Sequence, residues 1–268
     1  YVNLFAPNFT PSQIGLSRGN RRSLYFLHAL ADEGLARLLI DLHTHTRPLS
    51  WDSYLSPDDL VERSRKAGLD GICLSEHDYL WDPADVIALG KRHNYLVLPA
   101  IEINTDDGHI LVYGIDKYVY GMHRSHELAR HVRDANGAMV AAHPYRRQMP
   151  WYMENERDYH EALVRAAKNP AYGYCAALEK LNGRGTVKEN QFSAALCEFM
   201  KMPGTAGTDS HSRSDIGRVA TEFERDIRDV EGLIEELKAG RFDAVDLTGK
   251  PHRLDLTALT SREQDAAG

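Results

Sequence analysis

From residue 36 onward, short apolar runs alternate with segments whose apolar residues recur every three or four positions. The runs read LLIDLH, GICLSEH, LVLPAIEI, HILVYGI, AMVAAHP, YCAALEKLNG and TAGTDSH. Many of their residues are β-branched, the pattern of strands buried on both faces by crossover helices, so the expectation is an α/β fold with a parallel sheet. The intervening helices carry their own punctuation. Ser56 and Asp59 around Pro57 suit a capping box, with Leu60, Val61 and Ala67 inward and Gly68 past the end. Ser125 is expected to cap a helix that carries Leu128, Val132 and Ala135 to Gly137. Phe192, Leu196, Phe199 and Met200 form a third apolar face, and Leu233, Ile234 and Leu237 a fourth ahead of Gly240. Before this rhythm, an irregular stretch leads to a helix expected from about Arg22 to Leu35, and the closing TSREQDAAG reads as a frayed tail. The organisation expected is an extension over 1–37, one domain over 38–250 and a C-terminal segment over 251–268.

Composition narrows the classes. A chain of 268 residues, 43% hydrophobic and 26% charged, can bury a full core, and no run approaches the 18 or so apolar residues that span a bilayer. A membrane protein is therefore excluded at this level. Basic residues precede SLYFLHAL as in an export signal, but His28, Asp32 and Glu33 interrupt the apolar run. The net charge of -7 argues against binding long nucleic acid, though not against a local basic pocket. Cys73, Cys175 and Cys197, an odd and widely spaced set, make neither a disulfide framework nor a CxxC site, and a cytoplasmic location is expected. There is no GxxxxGKS/T or GxGxxG run. The unusual number is 13 histidines.

Their positions carry the chemistry. His43 and His45 end one apolar run, where period-two alternation puts them on one face with Asp41. Asp209 and His211 end another in the same way, while His77, Glu102 and His143 close three more. In a parallel barrel all these strand ends open at one rim, where residues distant in sequence converge. Imidazole and carboxylate donors suit Zn, Mn or Fe. Buried imidazoles and a strand-end glutamate without a cation would instead need a full set of hydrogen-bond partners. His109 begins its run, so strand direction alone puts it at the opposite rim. The remaining histidines, His93, His123, His126, His131, His160 and His252, fall in helices or loops and read as surface or packing residues.

The ordered set resembles the PHP family, the polymerase and histidinol phosphatase domain, over about residues 38 to 247. Its first motif reads Asp41-Leu42-His43-Thr44-His45; its second, usually TDH, reads Glu76-His77-Asp78, with glutamate in place of aspartate. Glu102, His109, His143 and Asp209-Ser210-His211 follow in order. The resemblance implies a distorted seven-stranded β/α barrel holding two or three divalent ions (Mn, Zn or Fe). It assigns His43, His45, Glu102 and Asp209 to one ion. His77 and His211 go to a second, with Asp52 as the equivalent of a ligand in the family's first loop after a two-residue insertion. Glu102 would bridge to a third completed by His109 and His143. Asp41 would orient a ligand histidine or neutralise charge, and Glu179, Lys180 and Asn182 would shape the pocket.

Arginines near the rim extend this reading, because a guanidinium can grip two phosphate oxygens. Arg47 follows the first motif, Arg146 and Arg147 follow His143, and Arg213 and Arg218 flank the last motif. Arg146 and Arg218 are the expected phosphate contacts, with His77 or His211 assisting the leaving group. The aromatic residues Trp51, Tyr79, Trp81, Tyr145, Trp151 and Tyr152 of the rim loops either stack on a base or simply pack. The leading expectation is a phosphoesterase that attacks phosphorus with a water activated between two cations. Its substrate would be a small phosphomonoester, a nucleotide or a short oligonucleotide, with no membrane and no obligate protein partner. Hydrolysis of a carboxylic ester, amide or lactone is the second reading. A noncatalytic metal-binding domain is the third, disfavoured because structural zinc sites are closed and four-coordinate.

Overall fold

The computed structural model describes residues 37–150 and 153–249. The expected helix over 22–35, the tail, Trp151, Tyr152 and His252 lie outside the described residues. In chain order the elements are β1 (Leu38–Thr44), α1 (Pro57–Lys66), β2 (Gly71–His77), α2 (Pro83–His93), β3 (Leu96–Thr105) and β4 (Gly108–Tyr113). Then come α3 (Ser125–Asp134), β5 (Ala138–Ala141), α4 (Tyr145–Gln148), α5 (Glu156–Ala166), a 3-10 turn (Pro170–Tyr174), β6 (Ala177–Asn182) and α6 (Val187–Met200). The last are β7 (Gly204–Gly207), β8 (Val219–Phe223), α7 (Val230–Ala239) and β9 (Phe242–Asp246).

The strands form one sheet in the order β7-β6-β5-β4-β3-β2-β1-β8-β9. The sheet curls until the segment after β7 meets β1: Thr44 and Ser210 form a parallel bridge, and Asp209 N–H donates to His43 O at 2.8 Å. Below that seam the hydroxyl of Thr221 on β8 accepts from Ala206 N–H at 2.9 Å and donates to Ala206 O at 2.8 Å. Seven strands thus make a nearly closed, distorted barrel, as the sequence led us to expect. Their directions differ from expectation. β1-β2, β2-β3, β5-β6 and β6-β7 are parallel, but β4 is antiparallel to both β3 and β5. The turn Asp106-Asp107 between Thr105 and Gly108 folds β3 and β4 into a hairpin. β8 and β9, not anticipated from the sequence, add an antiparallel pair beside β1.

Two apolar faces position the rim. Inside the barrel, Ile40, Leu42, Cys73, Leu98, Ala100, Leu111, Tyr113 and Val140 pack together, closed at one end by Leu233, Ile234 and Leu237 of α7. Outside, Ile101, Ile103, Ile110, Val112 and Leu178 pack against Leu128 and Val132 of α3 and Phe192 and Leu196 of α6. Ile72, Leu74 and Val97 pack against Leu60, Val61, Val86 and Leu89 of α1 and α2. Each such side chain contributes about 1.5–3 kcal/mol on burial, so the strand ends stand on a rigid floor.

Local caps follow the sequence with exceptions. Ser56 accepts from Asp59 N–H, but the Asp59 carboxylate turns to Arg63 and Arg213, so the box stays half closed. Ser125 is the first residue of α3 and not its cap, since its hydroxyl donates to Asp107. The complete capping box is Thr186 with Glu189 on α6. Phe199 is exposed and meets His160 edge-on instead of joining the core.

Candidate metal centre

The sequence places histidines at the end of β1, and a register irregularity between Asp41 and Thr44 decides where they point. Ile40 and Leu42 face the interior below; one extra residue then shifts the alternation, and His43 and His45 face inward above them. Asp41 is thereby removed from the histidine face. Its carboxylate accepts from Thr208 N–H at 2.8 Å, from the Thr208 hydroxyl at 2.5 Å and from His43 N–H at 3.2 Å, tying β1 to the chain beyond β7. Burial pushes its carboxyl up to about 6 against those donors. Gly207 is required at this seam, because a Cβ there would lie 2.4 Å from the Cβ of His43.

Glu102, fully inward at the rim end of β3, is the hub. Its Oε1 lies 2.8 Å from His109 Nδ1 and 2.9 Å from His143 Nε2. Its Oε2 lies 2.9 Å from His77 Nδ1, 3.3 Å from His45 Nε2 and 3.5 Å from His43 Nε2. Asp209 Oδ1 approaches two of these histidines and His211 from the seam, 3.4 Å from His45 Nε2, 3.6 Å from His43 Nε2 and 3.5 Å from His211 Nδ1. Asp52, despite the insertion before it, brings Oδ2 to 3.1 Å from His211 Nε2 and 3.4 Å from His77 Nε2. His109 stands at this rim and not the opposite one, because the hairpin reverses its strand: the start of β4 lies beside the end of β3. His143 (φ 26°) and Asp209 (φ 53°) adopt the left-handed region that non-glycine residues avoid, at about 1–3 kcal/mol each. A hydrogen bond from His143 N–H to Glu179 Oε2 at 2.7 Å holds the first.

These donors fit divalent cations. Among the described residues they form four overlapping triads with ligand atoms close enough to share an ion: His45, His77, His211; His43, Glu102, His143; His43, His45, Asp209; and His77, Glu102, His109. His43 Nε2, His45 Nε2, Asp52 Oδ1, Glu102 Oε2 and Asp209 Oδ1 are buried without hydrogen-bond partners. Buried polar atoms are nearly always paired, so five orphans in one cluster are what bound cations would satisfy. The outer nitrogens are already held, with His43 Nδ1 2.9 Å from Glu179 Oε1 and His45 Nδ1 3.2 Å from Ser50 Oγ.

Charge is distributed unevenly. Burial alone would raise Glu102 and Asp209, yet His43 and its neighbours, with Arg146 beside Asp209, hold both well below the usual carboxylate range. Burial alone would lower His43 and His45; the carboxylates instead raise both, His45 to about 9. His143 and His211 are lowered, first by burial and then by Arg146 and His45 respectively.

The arginines separate. Arg146 donates through Nη2 to Asp209 Oδ2, and its Nη1 lies 3.1 Å from His143 Nε2. Arg218, expected beside it, instead donates to Ser214 O at 2.9 Å and Gly183 O at 3.0 Å, away from the cluster. Arg184 stands where Arg218 was expected, with Nη1 2.9 Å from His211 Nδ1 and 4.0 Å from Asp209 Oδ1. Its signal in the sequence was its place just past the strand end LEKLN. Arg147 clasps the hairpin turn through Thr105 O and Asp106 O, Arg213 pairs with Asp59, and Arg47 lies over Tyr54. At the end of β6, Asn182 Nδ2 donates to Glu179 Oε2 at 3.0 Å. Trp51 and Tyr79 are exposed, Tyr145 is buried against Asn182, and Trp81 donates to Glu76. A cavity of about 250 Å³ opens beside His109 and His143, walled by Arg146, Arg147, Asp107 and Tyr172.

Fold and site together define an α/β barrel with a multi-cation donor cluster at its strand-end rim. The chain belongs to the PHP family: a model described as PHP domain matches residues 41–202, and one described as PHP-associated matches 187–242. It is similar in fold to PsfC from Pseudomonas syringae PB-5123, at 18% identity and a TM-score of 0.54, covering 86% of this chain and 99% of that one. A two-domain protein from Bacteroides vulgatus ATCC 8482, described as containing a predicted PHP-like metal-dependent phosphoesterase, shares the fold at 20% identity and a TM-score of 0.54 over 80% of this chain and 66% of that one. A DNA polymerase III PolC-type from Oceanobacillus iheyensis is 35% identical over 83 residues, 30% of this chain. The chain spans 6% of that curated relative's length. Family membership and the donor cluster agree on a rim whose side chains fit divalent cations. No helix among the described residues is long and apolar enough to cross a membrane.

Proposed function

We propose that this chain is a metal-dependent phosphoesterase for a phosphomonoester, a nucleotide or a short oligonucleotide. The observation that carries the reading is the convergence of five unpaired buried donor atoms, three of them carboxylate oxygens, among six histidines at one rim. His43, His45, Glu102 and Asp209 would hold one cation; His77, His211 and Asp52 would hold a second; His109 and His143, with Glu102, would hold a third. Cations held there would supply Lewis-acid chemistry, activating water near neutral pH and offsetting charge on the phosphoryl group. The protein's own part is to place the substrate. Arg146 has both arms of its fork at the cluster edge and can turn them to nonbridging phosphate oxygens, while Arg184 faces it from the far side of Asp209. The neighbouring cavity receives the leaving alcohol. A reducing, cytoplasmic setting accompanies this reading, since Cys73, Cys175 and Cys197 are all free thiols.

Metal-reconstituted protein assayed on phosphomonoesters, nucleotide diesters and carboxylic esters tests the proposal. Phosphoester turnover that disappears with chelator and with His43→Ala is the expected result. Turnover of carboxylic esters alone would overturn it.

A further inference from the structure

Behind the first motif lies a network that the donor cluster does not account for. Glu76 is fully buried, and its carboxylate accepts from Thr46 N–H at 2.8 Å, the Thr46 hydroxyl at 2.5 Å, the Ser50 hydroxyl at 2.5 Å and Trp81 Nε1–H at 2.8 Å. A hydroxyl carries one hydrogen. Ser50 gives its own to Glu76, so towards its other neighbours it can only accept: His45 Nδ1 at 3.2 Å and His77 N–H at 3.4 Å. In its neutral form His45 must then carry its proton on Nδ1, which leaves a lone pair on Nε2, the buried atom facing Glu102 and Asp209.

We propose that Glu76 is a positioning residue that fixes the tautomer of His45 through Ser50 and moors the loop carrying Asp52. This rests on the metal-centre reading above. An aspartate at 76, one methylene shorter, would not span the same four donors from the same backbone position. A glutamine would keep one acceptor oxygen and turn an amide N–H2 on two groups that donate to Glu76. The Ser50 hydroxyl would then be free to turn its hydrogen to His45 Nδ1, and the proton of His45 would move to Nε2, where it blocks a cation.

Two readouts test this, neither of them turnover. Nitrogen NMR of labelled histidine in metal-free protein at high pH should show His45 protonated at Nδ1 in the wild type and shifted towards Nε2 in Glu76→Gln. Zn²⁺ titration against a competing chelator should show the affinity of one site falling about 10–100-fold in Glu76→Gln, as for other groups that orient a ligand histidine. Ser50→Ala removes the relay while leaving Glu76 its other three donors, and should weaken the same site even where Glu76→Gln folds poorly. Wild-type Zn²⁺ affinity in Ser50→Ala, or an unaltered His45 tautomer in a folded Glu76→Gln, would overturn the positioning role. A wild type that binds fewer than two Zn²⁺ would instead overturn the metal-centre reading, and the tautomer measurement would still decide the role of Glu76.

Discussion

His43 and His45 stand two residues apart, both fully buried and both aimed at Glu102 and Asp209, yet different regions of the barrel hold them. On the seam side, strand β6 supplies Glu179, which accepts directly from His43 Nδ1 and also from the backbone of His143. On the other side the first loop supplies Ser50, a neutral hydroxyl, with the Glu76 carboxylate one bond further back. The seam is built from strand backbone and one charged contact. The loop is built from a chain of side chains. A direct carboxylate makes an imidazole a stronger ligand, whereas a hydroxyl relay specifies its tautomer with less charge.

The largest expected effect comes from removing what both regions share. Glu102→Gln loses the carboxylate that faces five histidines, and activity should fall by about a hundredfold or more with the fold retained, beyond the 10–100-fold typical of a group outside the ligand set. Circular dichroism and steady-state kinetics check it, and near-normal turnover would remove Glu102 from the centre.

Next in size is the contrast itself. Glu179→Gln should weaken metal binding by about 10–100-fold, and more than Ser50→Ala does, because it removes a charge from His43 as well as a hydrogen bond. Equal losses in calorimetric titrations of the two variants would erase the distinction between direct and relayed support.

Arg146→Ala should lower kcat/KM on a phosphoester about tenfold or more, since a charge-assisted bond is worth about 1.5–3 kcal/mol, and Arg146→Lys should recover only part. Loss on carboxylic esters of the same size would mean that Arg146 supports the cluster and does not grip phosphate.

Both regions respond to pH with a definite sign. In metal-free protein His43 and His45 have folded values raised above their usual 6.5, His45 to about 9. Their contribution to stability is therefore full below about pH 6.5 and is lost as pH rises towards 9. In chelator, Tm should fall across that window. With metal the trend reverses, because cations replace those protons and bind more tightly as pH rises. Melting curves that keep the same slope with and without metal would contradict the charge assignment.

The smallest effect belongs to Arg218→Ala, whose guanidinium serves two backbone carbonyls at the surface. Stability should change by no more than about 1 kcal/mol and phosphoester turnover should stay as it is.

Much of this was legible in the sequence because strand ends advertise themselves: an apolar run that closes on His, Glu or Asp has few uses besides a rim. What escaped depended on direction and reach. Strand polarity in an all-parallel sheet puts His109 at the opposite rim, and only the family resemblance puts it with the ligands; yet Thr-Asp-Asp-Gly between two apolar runs is a hairpin signal, and Gly108 adopts φ 127° there. The face assigned to Asp41 failed on one extra residue in β1, which periodicity cannot see. Arg218 and Arg184 could not be told apart, since both follow strand ends and only the path of the loop decides which guanidinium returns to the cluster. Glu76 stood out in the sequence as an unusual residue, but its four donors come from a loop and a tryptophan that only the folded chain brings to it.

The central claim is that the rim holds a multi-cation centre, and elemental analysis after metal reconstitution and gel filtration tests it most directly. The account predicts two or three divalent ions per chain, with at least one lost in His43→Ala. One ion or fewer per chain, unchanged by His43→Ala, would contradict it.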